Sequence, residues 1–107
     1  MPPAGPLAWS EALEKAAYRH ATDMYDNQHF DHIGTDKSDL GDRITAQGYN
    51  WSLVGENIAW GHSTVREAVE GWVLSPEHCK NMMDPTFTDV GAAVKGTYWV
   101  LDLGRGW

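Results

Sequence analysis

The run LVGENIAWGH, Leu53 to His62, constrains this chain more than any other stretch. Its apolar and β-branched residues read as a strand, yet Glu56 sits in the middle with Asn57 beside it. Glutamate is a poor strand former and is rarely buried without a partner. Gly55 and Gly61 also interrupt the run, where a plain core strand avoids glycine. Either Glu56 points to solvent from a one-sided strand, or it points into a polar site.

The flanking segments say what such a strand packs against. Ser10 to Gln28 reads as a helix, with Ser10 as N-cap and Glu11 and Glu14 in the favoured first turn. Leu13, Ala17, His20, Ala21 and Met24 share one face of it, which puts His20 in or beside the core. HFDHIGTDKS is a loop, and SDLGDRITAQG a short helix capped by Ser38 or Asp39 and stopped by Gly48. After the strand and a turn at GHST, Thr64 and Glu67 form a capping box. The helix they open carries Val65, Ala68, Val69, Trp72 and Val73 at helical spacing. SPEHCKNMM restarts a short helix with Ser75 as N-cap and Pro76 at the first position, ended by Pro85. DVGAAV and YWVLDLG, joined through KGT, read as a β-hairpin. The order predicts one α+β domain over residues 1–107, with a small antiparallel sheet.

Eight basic against fifteen acidic residues give a formal charge of −7, with the cations scattered along the chain. A phosphate-tracking surface needs them gathered on one face, so no nucleic-acid partner is expected. Cys79 is the single cysteine, which excludes an intrachain disulfide and a cysteine-rich zinc finger. No run is long enough to span a membrane, and MPPAGPLAW lacks the pattern of a signal peptide. The six tryptophans read first as core, although any at a cleft mouth would suit sugar rings or lipid.

Three places could carry chemistry: His29 and His32 in HFDH, Glu56 in GEN, and Glu77, His78 and Cys79 in SPEHC. Two histidines with carboxylates suffice to hold a divalent metal with positions left for water, but the spacing follows no helical zinc motif. His78 falls at the third position of a helix, whose positive end disfavours a second proton and keeps the imidazole neutral. The plain alternative is that His78 and Glu77 simply complement that helix start. Cys79 beside His78 is badly placed for a dyad, because adjacent helical residues point about 100° apart.

Taken in order, PLAWSEALEKAAYRHATDM, HFDHIG, RITAQGY, VGENIAWG, AVEGWVLSPEHCKNMMDPTFTDVGAAV and YWVLDLG resemble a bacterial member of the CAP superfamily. That superfamily comprises cysteine-rich secretory proteins, antigen 5 and pathogenesis-related 1 proteins. The resemblance implies a three-layer α-β-α sandwich with a central cleft where two histidines and two glutamates meet. Carried over by motif, the histidines are His32 and His78 and one glutamate is Glu56, turned inward with Asn57 holding the strand turn. At the second glutamate's place stands Ser75, and Glu77 is the candidate replacement. The usual first helix, ahead of PLAW, is missing, which implies exposed apolar surface and a homodimer or marginal stability.

The resemblance further implies a secreted or extracytoplasmic protein that acts mainly by binding, with lipid or another envelope component as ligand. The cleft would be formed by His32, Glu56, Ser75 and His78, with a divalent metal, zinc first, on the two histidines. One alternative is metal-assisted hydrolysis of a peptide or ester, with Glu56 or Glu77 as the base. Another is cell-wall glycan binding through exposed tryptophans, favoured by exposure of Trp51 or Trp60 at the cleft mouth and excluded by deep burial of both.

Overall fold

The structure, a computed structural model, describes residues 7–107. A two-residue strand β1 (Ala8–Trp9) leads into α1 (Glu11–Asn27). Ser10 caps that helix by accepting the Leu13 N–H at 3.2 Å, and Gln28 closes it in the left-handed region at φ 49°. The buried face of α1 is Leu13, Ala16, Ala17, His20, Ala21 and Met24. This three-to-four spacing matches the periodicity of the sequence. Then follow α2 (Leu40–Ala46), β2 (Trp51–Trp60), α3 (Val65–Leu74), α4 (Pro76–Met83), β3 (Asp89–Lys95) and β4 (Tyr98–Gly106).

The four strands lie in the order β1-β3-β4-β2. β4 pairs antiparallel with both β3 and β2, while β1 runs parallel to β3 through Ala8–Asp89 and Trp9–Val90. The expected purely antiparallel sheet is therefore corrected to a mixed one. A two-residue strand carries no readable alternation, and β1 is held by backbone bonds such as Ser10 N–H to Val90 C=O at 2.8 Å. β2 is an edge strand, so its outer side is open to the loops that form the site.

Successive strand residues face opposite sides of the sheet. One face of the β2–β4 ladder stacks Glu56 on Asp102, Ile58 on Val100 and Trp60 on Tyr98. Ala17, Ala21 and Met24 of α1 pack against Ile58, Val100 and Tyr98, and Leu13 and Ala16 pack against Ile44 of α2. Burying each such large apolar side chain contributes about 1.5–3 kcal/mol. Gly91 of β3 allows the close approach: a Cβ there would run into the backbone of Leu13 and Glu14. α3 and α4 cover the opposite face, where the Trp72 indole N–H donates to the Ile58 carbonyl at 3.0 Å. The result is a three-layer α-β-α sandwich.

Two local expectations change. The reciprocal capping box lies at Asp39 and Asp42, each side chain bonding the other's backbone N–H. Thr64 accepts the Glu67 N–H, but its hydroxyl also donates to the Glu67 carboxylate, which occupies the group a capping box would turn back to the backbone. On α3 only Ala68 and Trp72 are buried; Val65, Val69 and Val73 are exposed. Val65 and Val69 border an apolar groove of about 330 Å³ between α3 and the β3–β4 hairpin. The reading that a first helix is missing ahead of PLAW lies outside the described residues.

Candidate functional site

Glu56 is turned into the protein, with its side chain 1% exposed. Three elements meet it. From the loop after α1, the His32 Nδ1–H donates to Oε1 at 2.8 Å. From α2, the Arg43 Nη2 lies 3.2 Å from Oε1 and 3.1 Å from Oε2. From β4, Asp102 stands directly opposite in the ladder. The first alternative for Glu56, pointing to solvent, is excluded.

The loop that presents His32 is held by its own polar bonds. Asp23 of α1 accepts the Thr35 N–H at 2.8 Å and its hydroxyl at 2.6 Å. Arg19 pairs with Asp36 at 2.8 Å, and the Asp31 carboxylate caps the Ile33 N–H at 2.9 Å. His29 Nε2 lies 2.7 Å from the Ile33 carbonyl and His20 Nε2 lies 2.7 Å from that of Asp31. Both rings therefore donate to backbone and pin the loop. His32 is left half-exposed.

The charges follow from this packing. Burial opposes ionisation of Glu56, but the His32 hydrogen bond and the Arg43 guanidinium outweigh it and hold the carboxyl below its ordinary value. Burial, reinforced by the Glu56 charge, pushes Asp102 well above the usual carboxylate range. One guanidinium thus faces two carboxyl groups, of which Glu56 gives up its proton more readily than Asp102. The bond to Glu56 raises His32, and burial lowers His20, so the outer imidazole gains a proton more readily than the inner one.

Asn57 points to the opposite face. Its amide donates to the His78 carbonyl at 3.1 Å and accepts from Asn81 at 3.1 Å. Its role is to clamp the start of α4 to β2, which corrects the expectation that it holds the strand turn. Adjacent residues of one strand thereby fix both histidine-bearing segments: Glu56 the His32 ring, Asn57 the His78 backbone. His78 is half-buried in the first turn of α4. Ser75 has N-cap backbone geometry but its side chain makes no capping bond, and Glu77 is exposed. Gly55 is required because a Cβ there would lie 2.7 Å from the Phe87 ring.

The sequence reading missed Arg43 and Asp102. Asp102 was open to the argument that singled out Glu56, since it shares a strand face with Tyr98 and Val100. Arg43 carried no such signal, because an arginine in a short helix ordinarily faces water. Among the described residues, no group of three or more histidine, cysteine, aspartate or glutamate side chains is arranged to hold a metal ion. Of the two tryptophans singled out, Trp51 is partly buried with its indole N–H on Thr45 Oγ1 at 3.0 Å, and Trp60 is 59% exposed.

A sandwich with a histidine–glutamate pair at its open edge defines a class, and comparison with known proteins gives it a name. Residues 3–102 match the model of the cysteine-rich secretory protein family, CAP. The chain belongs to this family. It is 35% identical over 96 residues to the uncharacterized protein YkwD of Bacillus subtilis, covering 88% of this chain and 37% of that protein. With the uncharacterized membrane protein YlbC of the same organism it shares 30% identity over 101 residues, 94% of this chain and 29% of the relative. The chain thus spans about a third of the length of these curated relatives.

Among solved structures, it superposes with a TM-score of 0.92 on an extracellular, SCP-domain protein of Bacillus anthracis. The two are 34% identical over 95% of this chain and 34% of the other. An outer surface protein of Borrelia burgdorferi shares the fold at TM-score 0.87 and 20% identity, covering 97% of this chain and 80% of that one. No helix among the described residues is long and apolar enough to cross a membrane.

Proposed function

We propose that this is the ligand-binding domain of an extracytoplasmic protein, with a polar cleft organised around His32 and Glu56. The observation that carries the reading is the orientation of His32. Glu56 accepts the hydrogen bond from Nδ1–H, so the Nε2 of the neutral ring offers a lone pair. A carboxylate behind a histidine is the usual support for a metal-ligating imidazole. The descriptions of the solved relatives as extracellular or outer-surface proteins support the location.

A divalent ion would take His32 and His78 as its two protein ligands, with the remaining positions open to water or ligand. When bound, such an ion would supply Lewis acidity; zinc is among the ions that imidazole suits. Binding is favoured over turnover by the state of Glu56. Its oxygens already accept from His32 and Arg43, and its basicity is lowered, so it suits positioning better than proton abstraction. Glu77 is exposed and is the remaining candidate base for a peptide or ester hydrolase. Lipid or another envelope component would be carried beside the polar cleft, on apolar surface such as the α3 groove.

Calorimetric titration of zinc into metal-stripped protein tests this reading. One-to-one binding in the micromolar range, lost in the His32→Ala/His78→Ala double variant, is expected. Binding that the double variant retains, or no binding at all, would leave the cluster as a purely structural hydrogen-bond network.

A further inference from the structure

We propose that the groove at the Trp60 end of the sheet is a separate binding site for an uncharged sugar chain, with or without N-acetyl groups. The groove measures about 660 Å³ and is lined by Tyr25, Asp26, Gln28, Phe30, Trp60 and Tyr98. Neither His32 nor His78 takes part, so the site stands apart from the metal reading.

Three large aromatic side chains meet here in contact with water: Trp60 is 59%, Phe30 48% and Tyr25 47% exposed. Scattered exposed aromatics need no explanation, but a contiguous set marks a binding surface. Their geometry is fixed from beneath. Trp60 stacks on its cross-strand partner Tyr98, with centroids 5.6 Å apart and planes 13° apart, and Tyr98 is 7% exposed. Tyr25 meets Tyr98 edge-on at 6.4 Å, and Phe30 tilts against Trp60 at 6.2 Å. The indole is therefore held as a rigid plate with its surroundings set before any ligand arrives, which lowers the ordering cost of binding.

The polar lining selects the ligand. Asp26 and Gln28, both exposed at the end of α1, supply a carboxylate and an amide at the rim of the plate. A pyranose ring presents a flat face of C–H groups to an aromatic plane, while its hydroxyls pair with carboxylate and amide edges. Among the described residues the lining contains an acid and no cation, Lys95 lies 5.9 Å from the centre of the Tyr25 ring, and the whole chain carries a charge of −7. An anionic polymer or phosphate headgroup is therefore disfavoured. An acyl chain would leave Asp26 and Gln28 desolvated without partners.

The test is titration of an N-acetylglucosamine tetramer, and in parallel cellotetraose, followed by tryptophan fluorescence and the Trp60 indole N–H resonance. At least one sugar should bind saturably, unaffected by chelator and retained in the His32→Ala/His78→Ala variant. Trp60→Ala should weaken it about tenfold, as loss of one stacking plane implies. Phe30 lies in the loop, so Phe30→Ala should keep the fold and weaken binding severalfold even if Trp60→Ala proves unstable. Failure of both sugars to bind would overturn the proposal. Undiminished binding by folded Phe30→Ala and Trp60→Ala proteins would do the same. So would binding of phosphatidylglycerol vesicles through these aromatics in place of sugar.

Discussion

Glu56 is held below its ordinary value in the interior because His32 and Arg43 meet it, while burial and the Glu56 charge push Asp102 up. The same cluster makes His20 a pH sensor of stability. His20 is fully buried, and burial holds its imidazole below 6.5; Arg43 lowers it further, while Glu56 and Asp23 pull it up. The unfolded chain therefore binds a proton near pH 6.5 that the folded chain refuses until lower pH. The His20 contribution is intact above about pH 6.5 and is lost as pH falls below it, with a limiting slope of about 1.4 kcal/mol per unit. His32, whose folded value is raised, acts in the opposite sense: its contribution is present below about pH 6.5 and is lost as pH rises through its folded value. Urea denaturation of wild type and His20→Gln at pH 5 and pH 7.5 separates the two. The variant should lose less stability on acidification; an unchanged difference between the two pH values would contradict the assignment.

At the scale of the element, α2 shows how a small helix carries the site. It is seven residues long, too short to stand on propensity, and its N-terminus rests on the Asp39–Asp42 box. It delivers Arg43 to Glu56. Asp39→Ala should cost about 1 kcal/mol in a urea titration. Ser75→Ala, at the start of α4, should change stability by much less, since that hydroxyl makes no capping bond. Equal losses in the two variants would refute the capping argument. Helices α1 and α3 and the β3–β4 hairpin were legible in the sequence because each has apolar period and a capping or turn residue, and α2 and α4 because cap, proline or glycine signals bound them. β1 was not, because two residues show no period. Nor was the exposure of Val65, Val69 and Val73, because a periodic apolar stripe shows that a face is apolar without saying whether anything covers it.

At the scale of the molecule, the site exists because β2 is an edge strand between two helical layers. Its Glu56 side reaches the His32 loop and α2, its Asn57 side reaches α4, and the two histidine-bearing segments converge on adjacent residues. The inward turn of Glu56 was legible from one charged residue in an apolar run. The Arg43 partner and the clamp on His78 depend on contacts between segments, which spacing along the chain does not encode. The central claim is that His32 and His78 belong to one cleft and bind one ion. The most direct test is to follow both imidazoles by long-range ¹H–¹⁵N spectra while zinc is added to the metal-stripped protein. Before zinc, His32 should be the tautomer protonated on Nδ1, the atom bonded to Glu56. The account predicts that both rings then shift together and saturate at one equivalent. A shift confined to His32, or none in either ring, would contradict it.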